Sequence, residues 1–284
     1  RPPGISAAGL PAEHPVITLY MLGSGSRGNC CAVESEGVVL LVDAGFSARE
    51  VERRAEAVGL DLSRVAGIAL THEHGDHSRG ALGLTRRLRA PVLTGSGTWA
   101  RLTMLHQETE HRLLGLCSRV ELGPFQLEAC STSHDAADPL AIVIRTADGA
   151  SAGFAYDLGR PTLAVRYLLR NLSAIVLEAN YDELQLRTSA YPPVVQRRIA
   201  GSAGHLSNRA AAQLLRELHH PGLSIVVLAH LSEHCNTASD ARAAVATALR
   251  RSGFLGVLHV ADQDKPLPPI PVAHMTGIQL DLAL

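Results

Sequence analysis

Eight consecutive residues, Thr71-His72-Glu73-His74-Gly75-Asp76-His77-Ser78, constrain this chain more than any other stretch. They follow the apolar run 67–71 and precede a segment of helical pattern, so their side chains can converge at the carboxyl end of a strand. Imidazole and carboxylate in one loop suit zinc, manganese or iron. His72 and His74, two residues apart, can take one metal while Asp76 and His77 take a second, and Gly75 gives the backbone freedom to turn between the pairs. A surface loop without function is a poor account of three His and one Asp within six residues.

Short apolar runs alternate with amphipathic stretches from end to end, the pattern of an α/β protein. Strands are expected at 17–22, 38–42, 67–71, 125–131, 140–145, 152–156, 174–177, 225–229 and 256–260. Helices are expected after the capping-box pattern Ser47-Ala48-Arg49-Glu50 as far as Gly59, and at 209–218 and 239–250. Residues 1–15 have no continuous apolar segment of the signal-peptide kind and read as an extension. Residues 16–284 read as one domain, ending in the tail Pro266-Leu267-Pro268-Pro269-Ile270-Pro271, which can be neither helical nor paired in a central strand.

A composition 46% hydrophobic and 19% charged is ordinary for a soluble globular protein. No run approaches the ~20 apolar residues that span a bilayer, so no membrane partner is expected. The formal net charge of −1 excludes a chain that is basic throughout, and attraction to a polyanion must come from local arginines. Five cysteines without a C-x-x-C pair point to a reducing, cytoplasmic compartment. Cys30 and Cys31 are neighbours on a strand and should face opposite ways, one buried and one half-exposed.

The loop needs further ligands, and other strand ends offer them: His134 after 125–131, Asp157 after 152–156 and His230 after 225–229. The whole set resembles the metallo-β-lactamase superfamily, with Val42-Asp43-Ala44-Gly45 as its first motif, His72-x-His74-x-Asp76-His77 as its second, and His134, Asp157 and His230 as the rest. That resemblance implies a four-layer αββα sandwich carrying two divalent metal ions, zinc, manganese or iron, at one edge of its sheets. His72, His74 and His134 would bind one ion, Asp76, His77 and His230 the other, and Asp157 would bridge them. Asp43 would support a ligand histidine by hydrogen bond. True β-lactamases generally lack the bridging Asp, so antibiotic hydrolysis is at most secondary.

Further stretches resemble the YycJ (WalJ) group of bacterial exonucleases, distant relatives of RNase Z: residues 22–29, His134-Asp135-Ala136 with Pro139, Leu177-Glu178-Ala179-Asn180 with Asp182, Tyr191-Pro192, Arg198-Ile199 with Ser202, residues 204–208, and Leu228-Ala229-His230-Leu231-Ser232 with Asn236. Cys30-Cys31, Tyr181 and His234-Cys235 depart from the group's pattern. There is no room for the cap domain of RNase J, and no long arm of the RNase Z kind.

The resemblance implies a two-metal phosphodiesterase degrading DNA from 5′ to 3′, by attack of a metal-bridging hydroxide on phosphorus. Asp76 would bind metal and orient the nucleophile, and His205, with Glu178 behind it, would protonate the leaving 3′ oxygen. Phosphate contacts are expected from the helix start Ser207-Asn208, from Ser24, Ser26 and Asn29, and from Arg198, with Arg197 and the pair Arg86-Arg87 as further candidates. The alternative is a small-molecule hydrolase of the same fold, acting on a cyclic phosphodiester or a thioester. A vestigial, purely binding site is disfavoured by seven intact ligand candidates. Oligomeric state is left open.

Overall fold

The apolar runs assemble into two seven-stranded sheets in the computed structural model, which describes residues 17–116 and 118–272. The extension expected over 1–15, Cys117 and residues 273–284 lie outside the described residues. The first sheet takes β1 (Ile17–Gly23), β2 (Cys30–Ser35), β3 (Val38–Val42), β4 (Val65–Ala69), β5 (Val92–Thr94) and β6 (His111–Leu113) in chain order. The second takes β7 (Arg119–Leu122), β8 (Phe125–Ser131), β9 (Leu140–Arg145), β10 (Ser151–Ala155), β11 (Ala174–Glu178), β12 (Ile225–Ala229) and β13 (Val257–Val260), also in chain order. A last strand, β14 (Ile270–Val272), returns to pair antiparallel with β1 at the edge of the first sheet. Proline in this run is tolerated because an edge strand need not donate from every residue.

Both halves share one plan. An antiparallel meander turns parallel, at β3–β4 in the first sheet and at β10–β11 in the second. Strands β11 and β12 are buried on both faces, which is why they read as unbroken apolar runs. Met21, Val42, Leu127, Ile142, Phe154 and Val176 pack between the two sheets. Leu41, Ile68, Val51 and Leu84 join the first sheet to helices Ala48–Ala57 and Ala81–Leu88. Ile175, Leu177, Leu215 and Val245 join the second sheet to Asn208–Leu218 and Ala238–Arg251. The result is the four-layer αββα sandwich. Each fully buried aliphatic side chain contributes about 1.5–3 kcal/mol before entropy is counted.

Three local expectations need correction. Cys30 and Cys31 do face opposite ways, but both are buried, because β2 lies inside its sheet and each face of that sheet is covered. Ser47 caps its helix by accepting from Glu50 N at 3.2 Å, yet Glu50 does not complete the box; its carboxylate takes Arg53 and Arg54 instead. Gly75 starts the short helix Gly75–Ser78 and is not in the left-handed region; a Cβ there would meet only Arg79 Nε, at 4.0 Å.

Candidate metal centre

Strands β3, β4, β8, β10, β11 and β12 all end at one edge of the sandwich, and the residues just beyond them carry the polar cluster. At three of these ends a non-glycine residue takes the left-handed conformation: Asp43 with φ 61°, Asp157 with φ 48° and His230 with φ 54°. Each such turn costs on the order of 1 kcal/mol or more and must be held by its surroundings. Asp43 N donates to Ala69 O at 2.8 Å, and His230 N donates to Ser24 Oγ at 2.8 Å. Gly45 is required here because a Cβ would sit 1.7 Å from Asp76 O. Its bare backbone lets the Asp43-Ala44-Gly45 turn lie against the histidine loop, where Ala44 N donates to His77 O at 2.7 Å.

Ring nitrogens and carboxylate oxygens face one another across a small space. His74 Nδ1 and His134 Nε2 are 3.3 Å apart, and His72 groups with both of them. His77 Nε2 and His230 Nε2 are 3.4 Å apart, with Asp76 Oδ2 at 3.4 Å from the first and 3.3 Å from the second. Asp157 lies between the two groups, its Oδ2 3.5 Å from His72 Nε2 and 2.9 Å from His77 Nε2, and its Oδ1 3.9 Å from His134 Nε2. His72 Nε2 and Asp157 Oδ2 are buried without a well-aligned hydrogen bond. Buried polar atoms are rarely left so.

Outside this space, the second ring nitrogens are held. Asp43 Oδ2 is 2.7 Å from His77 Nδ1, and its Oδ1 accepts from Thr71 N at 2.8 Å and Thr71 Oγ1 at 2.9 Å. Thr71 Oγ1 is in turn 3.0 Å from His72 Nδ1. His134 Nδ1 meets Gly204 O at 3.1 Å. Protons on these outer nitrogens leave the inner ones as lone-pair donors.

Glu178 is saturated. Its Oε2 accepts from Leu158 N at 2.8 Å and Leu206 N at 2.9 Å, and its Oε1 lies 2.8 Å from His205 Nδ1 and 3.0 Å from His230 Nδ1. It could join Asp157, His205 and His230 in a fourth donor group, but a carboxylate already accepting four hydrogen bonds acts as an orienter and not as a ligand. Burial and the neighbouring His77 push His72 well below the usual imidazole range, so it is neutral. Burial also lowers His230 and His205, but Asp157, Asp76 and Glu178 outweigh it at His230, raising it to about 9. Glu178 and Asp157 raise His205 to about 11.

A cavity of about 280 Å³ opens over the cluster, lined by His74, Asp76, His134, Asp157, His205 and His230 among others. Of the side chains expected to contact phosphate, Ser26 and Arg198 line it, and Arg198 is held by Asp135 at 2.7 Å. The others do not. Ser24 and Asn29 are buried beneath the cluster, bonded to each other at 2.7 Å, with Asn29 Nδ2 3.2 Å from His77 Nε2. Ser207 caps its own helix through Ala210 N, and Asn208 forms a buried amide pair with Asn236. Arg86 and Arg87 pair with Glu108 and Glu52 away from the cavity. Sequence reasoning missed Thr71 and Asn180, whose Nδ2 donates to His230 O at 2.8 Å. Both stand inside the motifs named from the sequence, where they had no role, and only the fold shows what they hold.

The donor set fits metal ions. Facing nitrogens at 3.3–3.4 Å beside buried carboxylates suit a shared cation, and two buried atoms without a well-aligned partner lie at the same place. Fold and site together define a metal-dependent hydrolase. Residues 39–231 match the beta-lactamase superfamily domain. The exodeoxyribonuclease YycJ of Bacillus anthracis is 31% identical over 254 residues, covering 87% of this chain and 96% of that protein. The exodeoxyribonuclease WalJ of Streptococcus pneumoniae serotype 2 is 26% identical over 221 residues, 76% of this chain and 82% of that one. Among solved structures, the metallo-β-lactamase-fold protein YhfI from Bacillus subtilis superposes with a TM-score of 0.68 at 17% identity, covering 88% of this chain and 98% of YhfI. The chain belongs to the β-lactamase superfamily and, within it, to the YycJ/WalJ group.

Proposed function

We propose that the protein is a two-metal phosphodiesterase that shortens DNA from the 5′ end. His72, His74 and His134 would hold one divalent ion, Asp76, His77 and His230 the other, and Asp157 would touch both. Bound there, the ions supply positive charge for the phosphoryl oxygens and activate water for attack. The chain's own residues do the rest. Arg198 reaches into the cavity, and a phosphate replaces Asp135 as its partner. Asp76, about one-quarter exposed in the cavity, orients the nucleophile.

The observation that carries the reading is His205, at the cavity wall with Nδ1 fixed by Glu178 at 2.8 Å. That contact leaves the opposite ring nitrogen to deliver a proton. An alkoxide such as the 3′ oxygen of a nucleotide needs that proton to leave, whereas the thiolate of a thioester, with a pKa of about 8.5, does not. The named activity of the YycJ and WalJ relatives supports DNA as the polymer. No helix among the described residues is long and apolar enough to cross a membrane. The buried, reduced thiols of Cys30, Cys31 and Cys235 suit the cytoplasm.

The test is cleavage of a 5′-phosphorylated, end-labelled DNA duplex with manganese or zinc, with Asp76→Ala as control. Stepwise shortening from the 5′ end, absent in the control, is the expected result. No cleavage at confirmed metal content would move the substrate to a small phosphodiester.

A further inference from the structure

Part of the cavity lining has a chemistry that phosphate does not require. Tyr191, Val195 and Ile199 recur every four residues into and along the helix Pro193–Ile199, and all three line the cavity while remaining only partly buried. Tyr191 and Ile199 rest on a small core of Tyr181, Leu186 and Cys235, which holds this wall in place. The Tyr191 ring also meets His234 edge to face, with centroids 5.9 Å apart and planes at 80°. His234 is exposed and has no contact with the proposed ligands, so the metal centre does not account for it. Arg198, one residue from Ile199, enters the same cavity with its guanidinium on Asp135.

A metal cluster and an arginine recognise anions. An aromatic and aliphatic wall next to them recognises something flat and apolar joined to the anion. A nucleotide has that form, with a charged phosphate and a base whose faces are apolar. At about 280 Å³, the cavity is of small-ligand size.

We infer that Tyr191, braced by His234 and completed by Val195 and Ile199, is the stacking subsite for the base of the terminal nucleotide. The inference rests on the nuclease reading above. Every base has a π face, so the subsite accepts all four bases.

The experiment compares 5′-phosphorylated oligonucleotides whose first nucleotide is either intact or abasic, on the manganese-loaded protein and its Y191A, Y191L and Y191F variants. Removing the ring should weaken handling of intact ends by about 5- to 150-fold in KM, with kcat changing far less. Y191L keeps the apolar packing but should behave like Y191A, and Y191F should match the wild type. Only ring-bearing proteins should discriminate against the abasic end. A second readout needs no turnover: a terminal 2-aminopurine should be quenched on binding to the D76A protein and unquenched in D76A/Y191L. DNA shortening with an intact-to-abasic ratio unchanged by Y191L overturns the subsite alone. If the wild type shortens no DNA, the nuclease reading fails and takes the subsite with it.

Discussion

Asp43→Asn exchanges one oxygen for an N–H beneath the metal centre, and its effect can be worked from the hydrogen bonds. Asp43 is fully buried at φ 61°, a conformation that asparagine adopts more readily than most residues, so the turn survives. The amide oxygen can keep both bonds from Thr71, at 2.8 and 2.9 Å. The new N–H then faces His77 Nδ1, where a carboxylate oxygen had been at 2.7 Å. Two N–H groups cannot share that contact, so the ring proton moves to Nε2 and removes the lone pair His77 would offer to a metal. Losing such a support typically costs 10- to 100-fold in metal affinity, about 1.4–2.7 kcal/mol. The loss should fall on one ion only, since His72 keeps its link through Thr71. Calorimetric titration of metal-depleted protein with zinc should therefore show two comparable sites in the wild type and one weakened site in D43N. Equal affinities for both ions in wild type and variant would refute the reasoning.

Other perturbations follow from the same contacts. H205A should lose about 10²–10⁴-fold in kcat while retaining its full metal content by elemental analysis; loss of metal would make His205 a ligand. Arg54 is buried and donates to Leu22 O at 2.8 Å and Gln263 O at 2.9 Å, with its guanidinium 4.0 Å from the Phe46 ring centroid. R54A should lower stability by about 3 kcal/mol in urea unfolding, because two buried carbonyls lose their donor; a loss below about 1 kcal/mol would contradict this. Arg53, then Arg54, pull the Glu50 carboxyl from 4.5 down to about 2. Its folded pKa is depressed, so its stabilisation is present above pH 4.5 and disappears as pH falls toward 2. E50Q should flatten that acid limb in chelated protein, and identical limbs would remove Glu50 from the account.

Much of the candidate site was legible because the proposed ligands follow apolar runs, and such runs mark strands whichever sheet they join. His72, Asp157 and His230 could thus be placed at strand ends before their neighbours were known. The supporting contacts were not legible in the same way. Glu178 could be placed behind His205, but its second contact, to His230, joins residues 52 positions apart and depends on β11 lying beside β12. Ser24 and Asn29 looked like phosphate binders because a Gly/Ser turn carries no sign of its burial; the fold tucks it under His77 and His230. Strands β5, β6 and β7 have only three or four residues each, too few for a period to show. The left-handed turns at Asp43, Asp157 and His230 were also hidden: Asp and His enter that region more often than most residues, but nothing in the sequence marks which of them does.

The central claim is a pair of ions sharing Asp157, and anomalous scattering from crystals soaked in manganese tests it most directly. Two peaks are predicted, one bonded by His72, His74 and His134, the other by Asp76, His77 and His230, both in contact with Asp157. A single peak, or one bonded by His205 and Glu178, would contradict it.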